Sequence, residues 1–220
     1  AEPDATEAPA AAPEPACDNQ EAVLGDPSLR AGSPEEADVD GDGTPETVSV
    51  YYDPEGQVGC EAFVAAEGDE TTVAGALETW RGEFGLPMPT LHSVADVDGE
   101  PGDEIVVNMG GGASTQFVGL VVADGAVLRQ VTTAVPGQAA PGMFGFGGSV
   151  GHLDAIDCAP DGGVIVSSAL PDDEVYRVER TTFDFSGAEL IQQKRKVARV
   201  PLEKIDRFPE YGASPFGSCR

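Results

Sequence analysis

Three aspartates at alternate positions, Asp38, Asp40 and Asp42, share a short stretch with Gly41 and Gly43, and Thr44 and Glu46 follow at loop positions seven and nine. Alternating carboxylates on a tight turn gather oxygens around one point. A hard cation such as calcium needs about six to eight of them at roughly 2.3–2.6 Å. Gly43, at position six, supplies the sharp turn that such a wrap requires. The expected ligands are therefore the side chains of Asp38, Asp40, Asp42 and Glu46 with the carbonyl of Thr44. The pattern departs from an EF-hand, because position twelve is Ser49 rather than glutamate and strands rather than helices are expected on either side. A second acidic stretch carries Asp96, Asp98, Glu100 and Glu104. There the longer side chain of Glu100, and Pro101 with φ fixed at about −65°, work against closure on a small ion. A third stretch keeps Asp154 but has Ile156, Cys158 and Gly162 at the other ligand positions, so its acid is expected to bond its own backbone in a turn.

Other reactive groups are sparse. His92 and His152 stand four and two residues before the second and third stretches, on strands where a satisfied or exposed histidine is expected rather than a base. The glycine-rich segment from Asn108 to Thr115 has no lysine after it and leads into a strand, so it fails as a phosphate loop and reads as an open turn or binding rim. No G-x-S-x-G elbow is present. With 39 acidic residues, carboxylate pairs at glycosidase spacing arise by accident. A non-enzymatic protein is the expectation, and a secreted carboxylate-based hydrolase or lyase acting on a polysaccharide is the alternative.

The acidic stretches recur at a fixed interval. Asp38 and Asp96 lie 58 residues apart, the same step leads to Asp154, and Val48, Val106 and Val164 keep that interval inside apolar runs. A constant period of this length marks stacked supersecondary units. Each unit reads as a strand into the acidic turn, a strand out of it, and two more. In the second unit the strands are expected at 91–95, 104–109, 115–123 and 126–133, with Asp124-Gly125 as the hairpin turn. In the third they are expected at 149–153, 163–169, 174–185 and 188–200, with Ser186-Gly187 as the turn. The expected fold is all-β, with three four-stranded antiparallel blade-like repeats (about 35–92, 93–150 and 151–210) in a propeller-like arrangement. Three blades are fewer than propellers usually have, which leaves a compact closed body or a ring completed by further copies. Residues 77–85, around Trp80, fit either a short helix or a blade edge.

The first stretch resembles the loops of FG-GAP and VCBS repeats, known from the integrin alpha-chain propeller and from bacterial secreted proteins. Asp38, Asp40 and Asp42 match the D-x-D-x-D-G pattern, and Glu46 stands where the last aspartate is usual. The run Phe146-Gly147-Gly148-Ser149-Val150-Gly151-His152-Leu153-Asp154 is similar to the phenylalanine-glycine strand that leads into such a loop. The resemblance covers about residues 35–200. It implies blades pinned by calcium that present a rim to a protein or glycan at a cell surface. The Ala/Pro-rich beginning, acidity and cysteines are similar to secreted or lipoprotein members from high-GC actinobacteria.

Composition narrows the function classes further. The net charge of −27 excludes a nucleic-acid binder, which needs a basic footprint. No stretch reaches the roughly 18 consecutive apolar residues of a membrane-spanning helix. Gly 28 and Pro 18 are too many turn formers for a helical bundle. Seven basic residues against three acids fall within 192–220, leaving −31 on the rest, so these cations are expected to pair with carboxylates of the same chain. Four cysteines without metal-type spacing, Cys17, Cys60, Cys158 and Cys219, suit two disulfides and an oxidising compartment. Cys17–Cys60 with Cys158–Cys219 is the favoured pairing, and Cys17–Cys219 with Cys60–Cys158 the rival. Residues 1–16, with no aliphatic larger than alanine, are expected to form a disordered spacer ahead of a single β domain over 17–220. An upstream secretion signal or lipid-bearing cysteine would then leave the domain secreted or tethered on the outer face of the cell envelope.

Overall fold

A computed structural model describes residues 17, 24–53, 59–69, 71–78, 88–135, 138–149, 151–160, 162–207 and 209–219. The expected spacer at 1–16 lies outside these residues, as does the segment around Trp80 beyond residue 78. The described chain is all-β and almost wholly antiparallel. Strands β1 (Glu35–Ala37), β2 (Glu46–Tyr52), β3 (Ala62–Glu67) and β4 (Thr72–Ala76) form one meander. Strands β5 (Thr90–Ala95), β6 (Glu104–Gly111), β7 (Thr115–Asp124) and β8 (Val127–Gln130) form a second. After β9 (Thr132–Val135), β10 (Gln138–Pro141) and β11 (Met143–Ser149) comes a third, made of β12 (His152–Cys158), β13 (Val164–Asp172), β14 (Val175–Ser186) and β15 (Glu189–Pro201). Two short 3-10 segments follow, Leu202–Arg207 and Pro209–Gly212. Tight turns follow Asp124 and Ser186, with Gly125 and Gly187 at φ of 62° and 60°, values that suit the twist of a two-residue hairpin.

The meanders do not stand as three separate blades. The first is a free four-stranded sheet, whereas the other two belong to one eleven-stranded sheet in the order β10-β9-β15-β14-β13-β12-β11-β7-β6-β5, with β8 also on β7. Neither sheet closes on itself. The seam is β11, which hydrogen-bonds β7 on one side and β12 on the other, so that Gly147 pairs with both Thr115 and Asp154. Its glycines permit this: a Cβ on Gly148 would lie 2.3 Å from the His152 carbonyl oxygen. A single parallel contact joins β15 to β9. The expected strand at 149–153 is corrected accordingly: β11 ends at Ser149, a turn follows, and β12 carries Asp154 in mid-strand.

Packing explains the uninterrupted apolar runs of β6 and β7. Ile105, Val107, Met109 and Val121 face the first sheet, where they meet Val48, Val50, Val64 and Ala66. The alternate residues Val106, Val118, Leu120 and Val122 face the opposite way and meet Ile156, Val164, Phe183, Leu190 and Phe216. A strand pair buried on both faces has no polar side to show, which is why the usual alternation disappears there. Because both partners of the second contact lie in the same hydrogen-bonded sheet, that sheet folds back over itself at the β11 seam. The first sheet is covered on its outer face too, by Tyr51 and Phe63 stacked at 4.9 Å under Leu24, Leu29 and the Cys17–Cys60 disulfide. The second disulfide, Cys158–Cys219, ties the last residues to the end of β12, where the Phe216 and Ser218 amides donate to the Ile156 carbonyl and the Asp157 carboxylate.

The two sheets approach closely where Gly75 of β4 meets β8: an added Cβ would lie 1.8 Å from the Leu128 carbonyl oxygen. Neither backbone has a flexible side chain to move aside. Gly75→Ala is therefore expected to lower unfolding stability by at least about 2 kcal/mol in urea titration. A change of only a few tenths would show that the sheets are not held in contact there.

Candidate metal centre

The loop between β1 and β2 is built by its own acids. Asp38 Oδ2 accepts the Gly43 amide at 2.9 Å, Asp40 Oδ1 the Asp42 amide at 3.1 Å, and Asp42 Oδ1 the Thr44 amide at 2.7 Å. These bonds curl the backbone, and Gly43 takes φ of 88°, a conformation costly for any residue with a Cβ. One oxygen each from Asp38, Asp40 and Asp42 lies within 4.8 Å of the others. Asp38 Oδ1 is buried without a hydrogen-bond partner. An orphaned buried carboxylate oxygen beside two further carboxylates fits a cation, since leaving it unpaired carries a desolvation cost. Thr44 is exposed on the same turn.

Glu46, the first residue of β2, has a different place from the other acids. It is buried, and its Oε2 accepts the Val39 amide at 2.8 Å across the base of the loop. Burial raises its pKa, against the pull of the Val39 bond, and the charges of Asp40, Asp38 and Asp42 raise it further. Glu104 at the start of β6 repeats the arrangement one period later: Oε2 accepts the Val97 amide at 2.7 Å and the Asp98 amide at 3.2 Å. Asp96, Asp98 and Glu104 form the second cluster of carboxylates within 4.8 Å of one another. Glu100 is exposed and is not one of that cluster, and its amide donates to Asp98 Oδ1 at 2.8 Å. Pro101 is accommodated because Gly99 and Gly102 on either side of it take φ of 81° and 118°.

The loops dock on each other through their backbones. The Asp103 amide donates to the Asp38 carbonyl at 2.7 Å, and a Cβ on Gly41 would lie 2.6 Å from the Pro101 carbonyl oxygen. One step on, the Gly163 amide donates to the Val97 carbonyl at 3.1 Å, and a Cβ on Gly162 would lie 2.5 Å from the Asp98 carbonyl oxygen. The three turns thus stack in a column, with a cavity of about 440 Å³ beside the first two, lined among others by Asp40, Asp98, Glu100 and Glu104. The third turn carries no acid cluster among the described residues. Asp154 lies in β12 instead, 3.6 Å from His152, and burial raises its pKa while His152 opposes the rise.

Each histidine meets a hydroxyl group through Nε2. His152 Nε2 meets both Thr115 Oγ1 at 2.5 Å and Asp154 at 3.6 Å, so a single nitrogen faces both groups. His92 Nε2 lies 3.3 Å from Ser214 Oγ, its ring tilted against Phe146, and no described residue orients it through Nδ1. The contribution that counting carboxylates missed is that of Glu46 and Glu104 as acceptors for the loop backbone; their position directly before an apolar strand run was the available signal. Both disulfides fit an oxidising compartment. No helix among the described residues is long and apolar enough to cross a membrane. Comparison with protein-family models, curated proteins and solved structures finds no match.

Burial pushes the Glu104 carboxyl up to about 7 from its ordinary 4.5; the Val97 bond opposes the rise and the Asp98 and Asp96 charges add to it. Between those two values the folded protein keeps a proton that the unfolded chain has lost, so stability falls as pH rises through the window. Glu104→Gln keeps an acceptor and removes the charge. In chelator, urea titrations from about pH 4.5 to 7.5 are expected to show the parent losing up to about 3 kcal/mol relative to this variant. Parallel profiles would mean that Glu104 titrates as it does in the unfolded chain.

Proposed function

We propose that this chain is a non-enzymatic extracellular or cell-envelope domain, of the FG-GAP/VCBS kind, in which calcium pins the acidic loops and the sheets behind them present a binding surface. The observation that carries the reading is the first loop: three aspartate oxygens within 4.8 Å, with Asp38 Oδ1 buried and unpartnered. Asp38, Asp40 and Asp42 would hold the ion, with the Thr44 carbonyl and water completing an all-oxygen shell. Asp96, Asp98 and Glu104 offer a second, more buried set. Calcium there supplies positive charge alone: it offsets the mutual repulsion of the carboxylates and stabilises the folded form that binds it. Glu46 holds the loop closed from below and sets the spacing of the three aspartates above it.

A carboxylate hydrolase or lyase acting on a polysaccharide is the competing reading, and the raised pKa of Glu104 beside the loop cavity is the one observation in its favour. Against it, Glu104 Oε2 is already occupied by two backbone amides. Turnover of a polysaccharide by the parent and its loss in Glu104→Gln would establish that reading.

Melting measured in chelator and in calcium about a hundredfold above its dissociation constant is expected to show a rise of roughly 5–10 °C. Asp40→Ala should remove most of the rise. A melting temperature indifferent to calcium would sink the proposal.

A further inference from the structure

We propose that the free edge of β15 over residues 192–199 is the docking site for an extended acidic polypeptide segment, taken up as an added antiparallel or parallel strand. This gives a surface and a partner class to the binding role proposed above, and it does not depend on the metal. On one side β15 pairs with β14 almost from end to end, whereas on the other it pairs with β9 only at Glu189, Leu190 and Ile191. From Gln192 to Arg199 the outer row of amides and carbonyls has no partner strand among the described residues. All eight residues are exposed, so the strand is open on both faces as well as along its edge. A row of unpaired backbone groups is a template for another backbone, which favours a polypeptide over a polyanion without amides.

Charge selects the kind of segment. Lys194, Arg195, Lys196 and Arg199 lie on this stretch, and the register sets Arg180 of β14 opposite Lys196 and Arg177 opposite Arg199. Like charges directly opposed across a pair of strands weaken the sheet, and on a chain of net charge −27 there is no shortage of acids to put there instead. Part of the cluster is held internally: Glu179 takes Arg195 at 2.5 and 2.8 Å, and Asp172 takes Arg199. Lys194 and Lys196 have no carboxylate partner among the described residues. They lie two residues apart, hence on one face, while Val197, 52% exposed, looks out from the other. The matching segment carries acids at alternate positions and small apolar residues between them. The same cations repel a second β15, which leaves the edge unpaired with its own kind.

The test uses the full chain and a labelled peptide of about eight residues alternating glutamate and valine, followed by anisotropy in low salt. Saturable binding is expected, weakened about tenfold or more by Lys194→Glu with Lys196→Glu and less by the paired glutamine variants. The same peptide N-methylated at alternate residues, with its charge intact, should bind at least about tenfold more weakly, and the parent peptide should slow amide exchange across 193–198. Absence of binding, or equal binding of the N-methylated peptide or of heparin, would overturn the proposal. So would sedimentation showing that a second copy occupies the edge. Running the titration in chelator and in calcium separates the two readings, since calcium-independent binding is expected here even if calcium fails to raise the melting temperature.

Discussion

A buried glutamate at the base of each acidic loop accepts an amide from the loop above it, Glu46 from Val39 and Glu104 from Val97, and the geometry of both corners follows from these bonds. Each joins the first residue of a strand leaving the loop to the residue two beyond the strand entering it. The loop is thereby closed at its neck before any ion is considered, and the aspartates above it are brought within a few ångströms of each other. Burying a carboxylate is unfavourable unless its lone pairs are used, so the amides are as necessary to the glutamate as the glutamate is to the loop. The necks also leave the Asp38 and Val97 carbonyls facing the next loop, where they accept the Asp103 and Gly163 amides. In this way a local bond sets the stacking of the three turns.

The body of the domain supports that column from behind. Strands β6 and β7 are apolar on both faces and lie between the first sheet and the folded-over remainder of the second. A rigid, doubly covered layer directly behind the second loop, with a free meander on one side and a fused one on the other, leaves little room for either loop to shift alone. Glycine is used where two backbones must touch: Gly75 against β8, and Gly41 and Gly162 between loops.

Much of this was legible because it is local. The hairpins after Asp124 and Ser186, the strands on either side of the acidic turns and the apolar run of β6 all follow from neighbours a few residues away. The 58-residue interval matched the first two corners, but at the third the turn comes only after Cys158, four residues beyond Asp154. What could not be read was pairing at a distance. Nothing in Phe144, Gly145, Phe146 and Gly147 says that one strand will bond to two meanders and fuse them, since that choice depends on what β7 and β12 leave open. Asp154 was read as the start of a turn from its place in the repeat, but with Ile156 packed into the core no repulsion remained to break the strand there. Glu46 and Glu104 were legible only as acids suited to a metal; their use as acceptors for the loop backbone depends on burial, and Glu104 keeps its place in the second carboxylate cluster as well. The basic residues near the end divided, with Arg195 and Arg199 paired as the charge balance suggested and Lys194 and Lys196 outside that pairing.

The Cys17–Cys60 bridge has a mechanical consequence. It closes a covalent ring, 43 residues in sequence separation, that contains β1, β2 and the whole first acidic loop. A pull delivered from the N-terminal side of Cys17 passes through the sulfurs to Cys60, just ahead of β3, and bypasses everything in between. Cys158–Cys219 does the same at the other end for β13, β14 and β15. Tension along the chain is therefore carried by the segment from Cys60 to Cys158. The first loop and the basic edge strand hang from that line as unloaded rings and keep their shape while the middle of the molecule bears the force.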